Sequence, residues 1–251
     1  MSSSTGSTDP PRRQVQRRRE TVQDIKAAAR AQLDRAGPEG ISLRGIAREL
    51  GMAASAVHYY FPSRGALLDS LIGDGFDSLA QALRRQYEQD AGRGPDERWL
   101  NVCRAHRGWA LARPSEYLLL YGHTGGATRR AHPKVAQAMA QVAAVLVAMM
   151  RDAVAHGAVD TDRIAATVPT SLRPQLAAWR ESTDALADLP DGAVAACMLG
   201  FAELHGAITL ELIGHTPPQI TDHDALFDLR MSHIASSLHP PEMTRQPHTI
   251  P

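Results

Sequence analysis

The sequence predicts an all-α protein. Alanine is abundant, and aromatic residues make up only 5% of the chain. The strict alternation of apolar and polar residues that marks a half-buried β-strand is scarce. Apolar residues recur instead every three or four positions, and breaks rich in Gly and Pro separate these segments. At 251 residues, the chain is long enough for one large domain or two smaller ones.

Composition narrows the class of protein. No uninterrupted apolar run approaches the length of a membrane span, and the first residues are Ser- and Thr-rich, unlike a secretory signal. Cys103 and Cys197 lie far apart and form no metal-binding spacing, so two free thiols are expected. We therefore expect a cytoplasmic protein without a membrane segment, a bound metal or a cofactor.

The formal net charge of zero hides an asymmetry. Residues 1–70 hold eleven Lys and Arg against seven Asp and Glu, whereas the rest of the chain holds sixteen against twenty. The positive charge therefore collects in the first part of the chain, where it could neutralise phosphate groups.

Residues 1–18 are predicted to form a disordered basic arm. Residues 1–11 offer nothing to bury, and five arginines follow within eight positions: Arg12, Arg13, Arg17, Arg18 and Arg19. The alternative is a solvated charge run without a partner. A first helix is then expected from about Arg19 to Ala36, where Gly37-Pro38 ends it.

The stretch from Ser42 to Leu71 predicts two short helices about a tight turn. Apolar Leu43, Ile46, Ala47 and Leu50 give the first helix a buried face, and Gly51 suits a left-handed turn. The second helix should begin near Ala53, bury Val57 and Phe61, and turn Ala54, Ser55, His58 and Tyr59 outward. Pro62-Ser63 should cap the next helix. This is the helix-turn-helix arrangement, which places its second helix in the DNA major groove.

These residues resemble the N-terminal domain of TetR-family transcriptional regulators. The resemblance lies in the pairs Ile46-Ala47 and Leu50-Gly51, then in Tyr59-Tyr60-Phe61, Pro-Ser, a basic residue and Ala-Leu-Leu. It implies a three-helix DNA-binding bundle over 19–70, an all-helical effector-binding and dimerisation domain over 71–238, and a homodimer on double-stranded, pseudo-palindromic operator DNA. Repression relieved by a small-molecule effector is the family's commonest mode.

The resemblance also assigns DNA contacts. Ser42, His58, Tyr60 and Arg64 would position the protein on phosphates, although the family usually has Tyr at His58 and Lys at Arg64. The alternative for His58 is packing against Arg64.

Base reading would fall to Arg44, Ala54, Ser55 and Tyr59. Arg44 matches a position that reads a base in some family members, and a guanidinium can bridge O6 and N7 of guanine. Arg17 and Arg18 of the basic arm are expected to contact phosphates or the minor groove.

Beyond the motif, helices are expected near 63–86, 96–112, 115–121, 133–155, 161–167, 172–187, 191–214 and 222–238, with a loose tail over 239–251. An aromatic set with few charges could line a pocket for a mostly apolar effector, or could be plain core. Its members are His106, Trp109, Tyr117, Tyr121, Met149 and Trp179.

The helix over 191–214 is apolar on more than one face, which predicts burial on several sides. The resemblance implies that it pairs, together with the last helix, against the copies of both in a second subunit; a C-terminal core is the alternative. The residues expected there are Met198, Phe201, His205, Ile208, Leu212, Leu226, Leu229 and Ile234. Residues Phe201–Leu212 also resemble a signature of one subgroup of TetR C-terminal domains.

Two other classes of function stay open. One is a catalytic or metal-binding helical protein, for which His215, Asp222, His223 and Asp224 cluster about a Pro-Pro turn. The sequence contains no phosphate loop, zinc-protease motif or nucleophile elbow, so no such motif supports an enzyme. The other is an architectural DNA-binding protein without an effector.

Overall fold

A computed structural model describes residues 10–122 and 132–241. Within these ranges the chain forms α-helices and two 3₁₀ turns, without a β-strand. The helices are α1 Pro10–Ala36, α2 Leu43–Glu49, α3 Ala54–Tyr60, α4 Arg64–Gln89, α5 Pro95–Ala112, α6 Pro114–Tyr121, α7 Pro133–Ala155, α8 Thr161–Thr167, α9 Arg173–Glu181, α10 Asp191–Leu212 and α11 His223–Ser237. The all-α prediction is confirmed.

The chain divides into two compact units. The first unit comprises Met1–Gly75 with Ser115–Val135, and the second comprises Phe76–Pro114 with Ala136–Pro251. The sequence predicts a boundary at residue 70, with α6 in the second domain. The compact units instead divide within α4 after Gly75 and place α6 with the first unit. Helix α4 contributes residues to both units.

In the first unit, α1, α2 and α3 pack around an apolar centre. Ile25, Ala29 and Leu33 of α1 are fully buried or nearly so, as are Ile46 of α2 and Val57 of α3. The four-residue spacing of Ile25, Ala29 and Leu33 gives α1 one buried stripe. The residues that the sequence predicts to be buried in α2 and α3 are buried, except Leu50, which is half-buried.

The turn between α2 and α3 depends on Gly51. Its φ is 64°, a left-handed conformation that a side chain would strain. The Met52 N–H donates to the Ala47 carbonyl at 2.8 Å, and the Gly51 N–H donates to Arg48 at 3.3 Å. These two bonds form a Schellman motif, which ends α2 and sets the entry to α3.

An ion cluster ties three helices of the first unit together. The Lys26 ammonium on α1 lies 2.8 Å from both carboxylate oxygens of Asp74 on α4. Arg30 contacts Asp74 at 3.0 Å and Glu116 of α6 at 3.5 Å. This cluster, together with the close approach of Gly75 to Leu120, fixes α6 within the first unit.

The second unit is built around α10. Ala193 and Val194 pack with Val147, Leu186 and Leu189, while Ala196 packs with Ile164 and Leu238. Gly192 allows α10 to approach α8, because a Cβ at this position would come within 1.8 Å of the Thr161 carbonyl oxygen.

Two helices of the described chain, α7 and α10, are long and apolar enough to span a membrane by length and composition alone. Core helices of other proteins pass the same test, so this property is weak support for a membrane location.

The structure corrects both ends of the sequence prediction. Residues 10–18, expected to be disordered, are the first turns of α1. His239, expected in a loose tail, is buried and its Nε2 lies 2.9 Å from Asp96. Residues 1–9 and 242–251 of the expected arm and tail, and 123–131 of the expected loop, lie outside the described residues.

Candidate nucleic-acid interface

The outward face of α3 consists of the side chains expected there. Ala54, Ser55, His58 and Tyr59 are exposed, whereas Val57 is buried. Tyr59 is 68% exposed, which is unusual for a large aromatic side chain outside a binding surface. Helix α3 therefore presents one large aromatic residue among small and polar ones.

Helix α2 holds Arg44 in its first turn. The Ser42 hydroxyl accepts a hydrogen bond from the Gly45 N–H at 3.2 Å and so caps α2. The Ser42 N–H in turn donates to Gln32 of α1 at 2.9 Å. This places the exposed Arg44 side chain on a helix start that is anchored to α1.

Basic residues of the first unit differ in whether a carboxylate holds their side chains. Lys26, Arg30 and Arg35 are held by carboxylates at 2.8–3.0 Å. Arg17 and Arg44, in contrast, are exposed and make no ion pair with any described residue. A surface cation without an internal partner is the kind that can neutralise a phosphate or reach a base edge.

A groove runs between the first turns of α1 and the end of α3. It has a volume of about 420 Å³ and is lined by Arg13, Gln14, Arg17, Arg18, Thr21, Tyr59 and Tyr60. Arginine and tyrosine together supply the fork-shaped donors and hydroxyl groups that bind phosphate oxygens. The sequence prediction missed this groove because it treated residues 10–18 as disordered.

One expected phosphate ligand is engaged elsewhere. The Arg64 guanidinium donates to the Pro38 carbonyl at 2.6 Å and contacts Glu39 at 3.0 Å. It therefore fastens the 3₁₀ turn Pro38–Gly40 to the start of α4, and a phosphate would have to compete with these partners. His58 is exposed, and no described contact pairs it with Arg64.

The aromatic set expected to line a pocket is divided between the units. Tyr117 and Tyr121, whose rings lie 4.9 Å apart, belong to the first unit. In the second unit, Trp179 packs against the cluster of Val147 and Leu186.

The remaining members also lie in the second unit. Met149 is buried on α7, His106 is fully buried on α5, and the Trp109 indole N–H donates to Ser78 at 3.1 Å.

His205, which the sequence predicts in the partner-facing set, also contacts this region. Its ring lies 5.1 Å from His106 and 4.2 Å from Phe201. Burial, followed by the nearby His205, lowers the pKa of His106 well below its ordinary value, and burial lowers the pKa of His205 to about 4. Both rings are therefore neutral at pH 7, a state that suits a mostly apolar environment.

The outer face of α10 and α11 carries large apolar side chains. Leu199 is 51% exposed, Phe201 43% and Leu229 65%, and Met198 and Ile213 are similarly exposed. Ile208, expected on this face, is instead fully buried within its own chain, as is Leu204. Leu212, Leu226 and Ile234 are half-buried.

The residues about the Pro-Pro turn have other roles. Asp222 caps α11 by accepting from the Ala225 N–H at 2.9 Å, and Asp224 pairs with Arg107 at 2.6 Å. Among the described residues, no group of three or more His, Cys, Asp or Glu side chains could hold a metal ion.

Comparison with known families gives two matches that together span most of the chain. Residues 25–71 match the family described as bacterial regulatory proteins of the tetR family. Residues 99–234 match a tetracyclin repressor-like C-terminal domain.

Similar proteins point the same way. The chain is 33% identical over 221 residues to an HTH-type transcriptional regulator from Mycobacterium tuberculosis, an alignment that covers 85% of this chain and 92% of the relative. The crystal structure of SCO4313, described as a regulatory protein, aligns with a TM-score of 0.70 and 27% identity over 90% of this chain and 98% of that one. A protein of unknown function from Rhodococcus sp. RHA1 aligns with a TM-score of 0.66 and 25% identity over 87% and 95%.

Proposed function

The chain belongs to the TetR family and is a DNA-binding transcriptional regulator rather than an enzyme, and we propose that it is a homodimeric repressor which a small, mostly apolar effector releases from a pseudo-palindromic operator. The observation that carries the proposal is the exposed face of α1, α2 and α3. There Arg17, Arg44 and Tyr59 are exposed, and neither arginine makes an ion pair with a described residue. The cytoplasm, where the operator is, would be its location.

Contacts on this face would divide into two kinds. Arg44 would read a base pair in the major groove, with Tyr59, Ala54 and Ser55 beside it. The methyl group of Ala54 suits the methyl group of thymine.

The contacts that position the protein on the DNA would come from the groove between α1 and α3. Arg17 and Tyr60 would hold backbone phosphates, with Ser42 and His58 adding contacts at the starts and ends of the short helices. Arg64 would contribute only after releasing its hydrogen bond to Pro38.

The exposed apolar face of α10 and α11 supports a homodimer. Large apolar side chains such as Leu199, Phe201 and Leu229 are costly to expose to water, and several of them on one pair of helices are typical of an interaction surface. A two-fold axis through this face would present the two helix-turn-helix units to two half-sites about one helical turn apart, roughly 34–36 Å.

The dimer is tested by placing a charge on this face. Phe201→Glu should shift the protein from dimer to monomer in sedimentation velocity and weaken operator binding. Leu172→Glu is the matched control, because Leu172, the residue directly before α9, is exposed to a similar extent. A dimer that persists in Phe201→Glu but dissociates in Leu172→Glu would contradict this assignment.

An effector would act only through different affinities for the DNA-binding and released states. The neutral pair of His106 and His205, with Trp109 nearby on α5, favours an effector that is apolar with one or two hydrogen-bonding groups. Helix α4 would transmit the conformational change that the effector causes, since this helix contributes residues to both units.

Selection from a pool of random duplexes tests the function as a whole. The wild-type protein should enrich a pseudo-palindromic sequence, and apolar compounds from a small-molecule panel should release the enriched duplex. Equal binding to every duplex, with no release by any ligand, would favour an architectural DNA-binding protein instead.

A further inference from the structure

We infer that Arg18 positions Tyr59 for base reading, so that a residue of α1 outside the helix-turn-helix helps set operator specificity. This inference rests on the proposed function. It also gives Arg18 a different role from that of Arg17, although the two are neighbours in a run of arginines.

The geometry of Tyr59 carries the inference. The guanidinium carbon of Arg18 lies 5.4 Å from the centroid of the Tyr59 ring, within the range of a cation–π contact. The Tyr60 ring meets the Tyr59 ring edge-on, with centroids 5.3 Å apart and planes at 84°. Tyr59 is therefore held by two neighbours even though 68% of its surface faces solvent.

This arrangement matters because Tyr59 is the large side chain on the outward face of α3. An exposed tyrosine that turns freely between rotamers loses that freedom when it meets a base, which weakens binding. A ring that is already held in place loses less rotamer freedom on binding. A ring fixed in one position also accepts one base shape better than another, so the contact with Arg18 would sharpen discrimination as well as affinity.

Arg18 can reach Tyr59 because residues 10–18 are helical. Arg18 and Arg17 both line the groove with Tyr59 and Tyr60, but the contact recorded over the Tyr59 ring belongs to Arg18. A guanidinium lying over a ring has less access to a phosphate than a free one. Arg17, whose carbonyl accepts from Thr21 at 2.9 Å, keeps an exposed side chain for the DNA backbone.

The test uses the full-length protein and the duplex that the wild type enriches from a random pool. Dissociation constants are measured for this duplex and for duplexes changed at each base pair, at two salt concentrations. The variants are Arg18→Ala, Tyr59→Ala, the double variant, and Arg17→Ala as the matched control. The readout is the ratio of the dissociation constants for the changed and unchanged duplexes at each position.

Arg18→Ala should reduce this ratio about two- to fivefold, the factor that an exposed cation–π contact supports. The reduction should occur at the positions that Tyr59→Ala affects, and the double variant should show no further reduction there. Arg17→Ala should weaken binding to every duplex alike and leave all the ratios unchanged.

Three results would overturn the inference. The first is that Arg18→Ala leaves every ratio as in the wild type. The second is that its effect is the same with and without the Tyr59 ring. The third is that Tyr59→Ala leaves every ratio unchanged. Failure of the proposed function looks different, because the wild type would then enrich no sequence at all.

Discussion

Two arginines of the first unit differ sharply from one arginine of the second in how their side chains are held. In the first unit, Arg17 and Arg44 are exposed and have no carboxylate partner among the described residues. In the second unit, Arg107 is only 11% exposed and is held by Glu211 at 2.7 Å and Asp224 at 2.6 Å. Arg107 thereby joins α5 to α10 and α11.

This difference in pairing distinguishes arginines that can bind DNA from arginines that stabilise the fold. Unpartnered arginines do little for the fold, but they remain available for phosphates and base edges. A mostly buried arginine with two carboxylates stabilises packing, and removing it leaves charge without a partner. Changes in the first group should therefore alter DNA binding, whereas changes in the second should alter stability.

The largest effect is expected at Arg107. Arg107→Met should lower the free energy of unfolding by about 3 kcal/mol, because Glu211 would stay largely buried without its partner. Chemical denaturation at fixed protein concentration measures this. Arg104→Met is the control: Arg104 pairs with Asp228 in a more exposed site, and its loss should cost about 1 kcal/mol or less. Equal losses of unfolding free energy in the two variants would contradict the difference expected between a buried and an exposed arginine.

Arg44 should show the opposite behaviour. Arg44→Ala should weaken discrimination at one base pair of each half-site by on the order of 1–3 kcal/mol, while the unfolding transition stays unchanged. Binding to operators altered at each position measures the effect. Arg35→Ala is the control, because Arg35 is already paired with Glu49. Discrimination unchanged at every position would refute a base-reading role for Arg44.

The histidine pair gives the second unit a pH dependence. Burial lowers the pKa of His205 to about 4 from its ordinary 6.5, so on acidification the unfolded chain binds a proton before the folded chain does. Stability should therefore fall as the pH drops below about 6.5, by on the order of 2 kcal/mol between pH 7 and pH 5 for this residue.

Unfolding measured across this pH range checks the expectation, and His205→Phe should flatten the slope. A slope as steep in His205→Phe as in the wild type would mean that other groups cause the change.

The smallest effect is expected at Ser42, whose hydroxyl caps α2. Ser42→Ala should destabilise the first unit by about 1 kcal/mol, while Ser42→Thr, which keeps the hydroxyl, should recover most of it. Hydrogen exchange of the α2 amides measures the loss locally. Faster exchange in the second unit alone would contradict it.

The helix-turn-helix was predictable because its determinants are close together in sequence. Gly51 sits at the position that must turn left-handed, and Ser63 caps α4 by accepting from the Ala66 N–H at 3.1 Å. Each acts within a few residues, so the sequence pattern contains both the cause and its result.

What the sequence did not predict depends on partners far along the chain. The first turns of α1 show no buried periodicity, so their helical state was missed. His205 meets His106 across 99 positions, and which face of α10 buries Ile208 depends on the helices packed against it. Arg64 looked like a phosphate ligand because its bond to the Pro38 carbonyl is not visible in its own motif.

Footprinting on the promoter beside the protein's own coding region, at two salt concentrations, tests the central claim most directly. The account predicts a protected pseudo-palindrome with two half-sites that survives the higher salt, since base contacts by Arg44 and Tyr59 add to the phosphate contacts. Protection that is uniform along the DNA and disappears at the higher salt would contradict it.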